Sequence, residues 1–145
     1  MKHLDVKTEK ETKNIAKAFA KDVELGAVVA LIGDLGAGKT VFAKAFSKEL
    51  GVKEEVISPT FNIIKTYQIK NSKKNVRVFC HVDAYRLNSY QELLEIGIEE
   101  YLNDKNTIVL IEWADKVEEL LPKDVQIIRI EHKEDTKRVF YFDNK

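Results

Sequence analysis

The sequence predicts a three-layer α/β fold with a mainly parallel central sheet and antiparallel hairpin additions, and three observations predict it. Two short, continuous apolar runs, Ala27-Val28-Val29-Ala30-Leu31-Ile32 and Thr107-Ile108-Val109-Leu110-Ile111, have the length and lack of alternation of strands buried on both faces. Helical patterns opened by capping signals lie between the strand-like stretches. The first run leads directly into Gly33-Asp34-Leu35-Gly36-Ala37-Gly38-Lys39-Thr40, and a helical pattern from Val41 to Leu50 follows.

That glycine loop has the G-x-x-x-x-G-K-[ST] pattern in the context that gives the pattern a physical meaning, so the expected fold is P-loop NTPase-like. Glycines let the backbone turn successive N–H groups onto phosphate oxygens, and the helix N-terminus adds its partial positive charge. Asp34, Gly36, Ala37, Gly38, Lys39 and Thr40 are the candidate nucleotide-binding residues. Lys39 would reach the β- and γ-phosphates, and the Thr40 hydroxyl would hold Mg²⁺.

At 145 residues the chain is expected to form one domain over 1–145, large enough to bury roughly two thirds of its unfolded surface. No apolar run approaches the ~20 residues of a membrane span, and Met1 to Lys7 holds no apolar core of signal-peptide type, so a cytoplasmic protein without a membrane role is expected. Cys80 is the single cysteine and sits in a strand pattern, which excludes an intrachain disulfide and suits a small core hydrophobe. Lys+Arg and Asp+Glu both number 24, and a formal net charge of zero argues against gripping nucleic acid by phosphate neutralisation alone.

Along the chain, Thr8-Glu9-Lys10-Glu11 has capping-box spacing and opens a helix to about Ala20, with Ile15, Phe19 and Val23 on one face. Thr12 falls near its start, where a solvated residue is the simpler expectation. After the glycine loop, Phe42, Ala45, Phe46 and Leu50 form the inner face of the next helix, and Gly51 ends it. Ser58-Pro59-Thr60-Phe61 makes a rigid polar turn, either a plain loop before a strand or a segment that senses a γ-phosphate. Residues 61–69 and 76–82 read as a hairpin whose lysine-bearing tip is a solvated loop.

The second strand of that hairpin delivers His81 and then Asp83-Ala84-Tyr85-Arg86-Leu87 to a strand's C-terminal end, where ligands of open α/β sheets collect. Asp83 suits a turn cap or a site acid, Arg86 a surface ion pair or a site cation, and His81 a satisfied structural histidine ahead of a catalytic base. Ser89-Tyr90-Gln91-Glu92 has the spacing of a second capping box, and its helix stops at Gly97, with a further helical piece over 98–102. The run 107–111 ends in Glu112-Trp113, the Walker B arrangement of a buried strand that delivers an acid toward Mg²⁺. Residues 114–121 suggest a short helix before Pro122, and 125–131 with 138–142 a terminal hairpin.

Taken together and in this order, Gly-Asp-Leu-Gly-Ala-Gly-Lys-Thr, Ser-Pro-Thr-Phe, His-x-Asp-x-Tyr-Arg-Leu and Ile-Glu-Trp resemble the TsaE family, also called YjeE, from about Glu9 to Pro122. The resemblance implies a weak P-loop ATPase that uses ATP and Mg²⁺ and acts with the TsaB and TsaD proteins. Its implied role is threonylcarbamoyladenosine formation at position 37 of tRNAs reading ANN codons, with tRNA met only indirectly, through those partners. It also implies Thr40 and Glu112 as magnesium ligands, Lys39, Asp83 and Thr60 as the residues of hydrolysis, and an adenine end near Thr12. Two other readings are a small P-loop phosphotransferase and a nucleotide-gated binding module without useful turnover. The first lacks support from an arginine-rich lid, since the chain has only Arg77, Arg86, Arg129 and Arg138.

Overall fold

The computed structural model describes residues 2–34, 36–57, 59, 62–72 and 74–144. The strands are β1 (Lys2–Val6), β2 (Val28–Ile32), β3 (Ile64–Gln68), β4 (Val78–Asp83), β5 (Thr107–Glu112), β6 (Gln126–His132) and β7 (Arg138–Asn144). The helices are α1 (Glu9–Asp22), α2 (Lys39–Leu50), α3 (Tyr90–Glu95) and α4 (Ile98–Leu102), with a 3₁₀ segment at Ala114–Leu120. All seven strands join one sheet in the order β1-β7-β6-β2-β5-β4-β3. Its centre, β6-β2-β5-β4, is parallel, while β3 on one side and β7 and β1 on the other pair antiparallel. The mainly parallel sheet with hairpin additions is therefore present. The terminal hairpin does more than extend an edge, because β6 pairs directly with β2, the strand that feeds the glycine loop.

Alternation along the central strands makes the three layers. Val29 and Leu31 of β2 face a cluster with Ala16, Ala20, Phe42, Phe46, Phe79 and Phe140, which seats α1 and α2 on one face. Val28 and Ala30 face the other cluster, with Cys80, Val82, Leu93, Ile98 and Val117, which seats α3, α4 and the 3₁₀ segment. Because both faces are covered, these strands need apolar residues at every position, and the continuous runs of the sequence follow. Cys80 lies in that second core, where burial pushes its thiol up to about 12. Phe42 packs its ring 6.1 Å from Phe140 and 6.2 Å from Phe19, and Phe46 lies 6.0 Å from Phe79, so aromatic contacts lock α2 between α1 and the sheet. No helix among the described residues is long and apolar enough to cross a membrane.

Local chemistry explains the helix boundaries and several departures from expectation. Thr8 Oγ1 accepts from Glu11 N–H at 3.2 Å, and Glu11 Oε2 accepts from Lys7 N–H at 3.1 Å, so the first capping box forms with its return bond one residue early. The helix runs two residues past the expected end, to Asp22, and Thr12 is buried at 3% exposure instead of solvated, because the inner face is Thr12-Ala16-Ala20. The second box forms on one arm only: Glu92 accepts from Asn88 N–H at 2.8 Å, while the Ser89 side chain makes no capping bond. At the hairpin tip Lys74 is not simply solvated, since its ammonium donates to Val23 O at 2.6 Å. The helix expected after Trp113 is a 3₁₀ segment broken by Val117 at φ −133°.

The loop's entrance is tight. A Cβ on Gly33 would lie 2.7 Å from the Ile130 carbonyl oxygen of β6 and 3.1 Å from Ala37 Cβ, and neither backbone can withdraw without disturbing the sheet or the loop. Gly33→Ala is expected to destabilise the protein by about 1–3 kcal/mol, as overpacking does elsewhere. Thermal unfolding of the ligand-free variant checks this, and an unchanged midpoint would show that the strand-to-loop junction gives way freely.

Candidate functional site

Between β2 and α2 the loop curls back on itself, with Ala37 N–H donating to Asp34 O at 3.0 Å and Phe42 N–H to Gly38 O at 3.0 Å. Gly36 and Gly38 take φ of +79° and +108°, and a Cβ built on either meets nothing within 4 Å. Glycine is therefore needed for the turn, and the space in front of it stays open for a ligand to meet backbone N–H groups. Behind that space lies a cavity of about 560 Å³, whose walls include Gly36, Gly38, Lys39, Thr40, Asp83 and Glu112.

Lys39 is only 6% exposed. Its ammonium donates to the carbonyls of Gly33 and Asp34, the latter at 2.7 Å, and sits 4.2 Å from the centroid of the Trp113 ring. Burial pulls its pKa below the ordinary lysine value, opposed by the negative charge of Glu112 first and then of Asp34, Asp83 and Asp115. A cation held on weak carbonyl acceptors at a partly desolvated position is ready to exchange them for an anion.

The two acids arrive as the sequence spacing requires. Asp83 ends β4 and Glu112 ends β5, and the two are register partners in neighbouring parallel strands. Asp83 caps the turn, its Oδ1 accepting from Tyr85 N–H at 3.0 Å, and the residue lines the cavity. Glu112 is 3% exposed, and its Oε2 lies 2.6 Å from Nε2 of His81, itself 1% exposed. His81 is thus buried and bonded through one ring nitrogen only, short of the satisfied histidine expected, and its partner is the acid that ends β5. His81 Nδ1 has no hydrogen-bond partner among the described residues. Part of the signal for this pair was in the sequence: strand residues two apart share a face, so His81 and Asp83 lie on one face of β4, and the register with β5 puts Glu112 on the same face.

Trp113 follows Glu112 in a left-handed conformation at φ 59°, with the Tyr85 ring 4.8 Å away, and both rings line the cavity with Arg86. Ser58 and Thr60 of the expected γ-phosphate-sensing turn lie outside the described residues. Arg138, to which the sequence assigned no role, reaches the loop from the first position of β7. Its Nε donates to Ala37 O and its Nη2 to Gly36 O, each at 3.1 Å.

Among the described residues no group of three or more His, Cys, Asp or Glu is arranged to hold a metal ion. The oxygen donors that line this cavity, the Thr40 hydroxyl and the Glu112 and Asp83 carboxylates, are of the kind that suits a hard cation such as Mg²⁺, which takes one or two protein ligands and completes its shell with phosphates and water.

A glycine loop joining a central parallel strand to a helix, a buried lysine at its end and carboxylates at the tips of the adjoining parallel strands define a protein of the P-loop class. The family model described as "Threonylcarbamoyl adenosine biosynthesis protein TsaE" matches residues 6–140, and the chain belongs to the TsaE family. It is 40% identical over 144 residues to the tRNA threonylcarbamoyladenosine biosynthesis protein TsaE of Bacillus subtilis, covering 98% of this chain and 86% of that relative. To the protein of the same name from Rickettsia bellii it is 38% identical over 139 residues, covering 95% and 92% of the two chains. The crystal structure of Bacillus subtilis YdiB superposes with a TM-score of 0.78 at 36% identity, covering 99% of this chain and 86% of that one.

Proposed function

We propose that this protein binds ATP with Mg²⁺ at the glycine loop, hydrolyses it slowly, and serves threonylcarbamoyladenosine formation at position 37 of tRNAs reading ANN codons, with TsaB and TsaD as partners. The observation that carries the reading is the open face of Gly36 and Gly38 set against a buried Lys39 and two carboxylates in register. Backbone N–H groups and the start of α2 would hold the phosphates, and Lys39 would leave its two carbonyls for the β- and γ-oxygens. Thr40 and Glu112 would hold Mg²⁺, which when bound neutralises charge developing on the phosphates. Asp83, beside them, would orient the attacking water or receive its proton, with Thr60 near the γ-phosphate.

For the nucleoside end, a groove of about 510 Å³ opens from Thr40 and Val41 between α1 and α2, lined by Lys13, Lys17, Lys44 and Lys48. Thr12, buried on the inner face of α1, would support the adenine end by fixing the helix, since it offers little surface to a base. The neutral chain suits a protein that meets tRNA through its partners.

Incubation with ATP labelled at the γ-phosphate tests the reading. Label is expected as inorganic phosphate, released only with Mg²⁺ and faster when TsaB and TsaD are added. Label transferred to a small molecule would establish the phosphotransferase reading, and a slow release unmoved by the partners would establish a nucleotide-gated binding module.

A further inference from the structure

We propose that Arg138, whose side chain also lines the cavity, is a positioning residue for the phosphate loop, two of whose carbonyls it holds with its guanidinium fork; the inference rests on the nucleotide reading above. Nε and Nη2 reach the carbonyls of two successive residues, Ala37 and Gly36, at 3.1 Å each, while Nη1 donates to Asp135 O at 3.2 Å and Lys137 O at 3.1 Å. The guanidinium therefore bridges the loop and the turn between β6 and β7. Its own backbone is fixed on both sides, since Arg138 is the register partner of Val6 in β1 and of His132 in β6.

The consequence for a ligand follows from peptide geometry. In a trans peptide the C=O and N–H point in opposite directions, so fixing one fixes the other. The Gly36 carbonyl shares its peptide plane with the Ala37 N–H, which donates to Asp34 O at 3.0 Å; that plane is held at both ends. The Ala37 carbonyl shares its plane with the Gly38 N–H, so the bond to Nε turns this N–H away from Arg138. Gly38 caps α2 in a left-handed conformation, and its amide is among those a terminal phosphate would meet. With no Cβ at Gly36 or Gly38, rotation of these peptide planes meets little steric resistance, and the bonds from Arg138 supply the restraint that side chains do not. Lysine is a poor substitute, because a single ammonium cannot reach the Gly36 and Ala37 carbonyls and those of Asp135 and Lys137 together, as the three nitrogens of the guanidinium do.

A loop held in this way is preorganised for the β-phosphate more than for the nucleoside end. Displacement of a fluorescent adenine nucleotide by ADP and by AMP, in Mg²⁺, is therefore measured for the wild type, Arg138→Ala and Arg138→Lys. In Arg138→Ala the Kd for ADP is expected to rise about tenfold or more, while that for AMP changes less than about twofold, so the AMP/ADP ratio falls. Arg138→Lys is expected to recover only a small part of the ratio, and it decides the matter if the alanine variant does not fold. Equal weakening of both nucleotides, or an unchanged Kd for ADP in either folded variant, overturns the positioning role, since a purely structural residue moves both affinities or only the melting temperature. Failure of the wild type to bind either nucleotide would instead overturn the nucleotide reading itself.

Discussion

Lys39→Ala is expected to lower ATP turnover by about 10²–10³-fold or more while leaving the protein folded, the largest loss among the substitutions considered. The loss follows from position: the ammonium is the cation at the foot of the loop, and no other lysine among the described residues lines the cavity behind it. Survival of the fold follows from energetics. Lys39 is buried at a cost that already pulls its pKa down, and its two backbone acceptors, Gly33 O and Asp34 O, compensate only part of that cost. Removing the charge relieves its desolvation and leaves two carbonyls at the edge of a polar cavity that water can reach. The melting temperature of the ligand-free variant is therefore expected within a few degrees of the wild type. Turnover within about tenfold of wild type in a folded Lys39→Ala protein would remove Lys39 from the phosphate site.

What the sequence made legible was what is local. The strand, glycine loop and helix are contiguous, so periodicity and spacing placed Lys39 and Thr40 at the end of the loop, before a helix expected from Val41; α2 begins two residues earlier, at Lys39. Glu112 and Asp83 were legible because each ends an apolar strand, and parallel pairing in register brings strand ends to one edge. Features made by distant pairing were not legible. Strand β1 has four of its five residues exposed and forms through pairing with β7, so Lys2 to Val6 carries no buried run to announce it. Arg138 contacts Ala37 and Gly36, 101 and 102 positions away, and a single arginine at the start of an alternating strand signals nothing by itself. Thr12 was expected at the surface because propensity describes a residue in its own turn, whereas the contact of α1 with α2 and the sheet decides which face is covered.

The two acids are separable because their surroundings differ. Glu112 is almost fully buried, with one oxygen bonded to His81, which fixes its carboxyl group as a rigid wall of the cavity. Asp83 is half-buried and capped onto the Tyr85 amide, closer in character to a group that exchanges with solvent. A metal ligand gains from rigidity and charge, whereas a residue that orients water gains from access to it. Alanine at 112 would leave the His81 ring with neither nitrogen bonded among the described residues, a folding cost of about 1–3 kcal/mol that would disguise the effect on the ligand. Glu112→Gln keeps the shape and one hydrogen bond to His81 while removing the charge, and Asp83→Asn does the same for the turn cap. Glu112→Gln is expected to weaken Mg²⁺-dependent nucleotide binding by about tenfold or more and to leave binding without Mg²⁺ almost unchanged. Asp83→Asn should leave both Kd values within about threefold and slow turnover by about 10²-fold or more, most visibly with TsaB and TsaD present. Nucleotide titrations with and without Mg²⁺, beside turnover for each variant, separate these outcomes. The opposite pattern would exchange the two roles. Wild-type binding and turnover in both variants would take Asp83 and Glu112 out of the site and leave Lys39 and the loop to act alone.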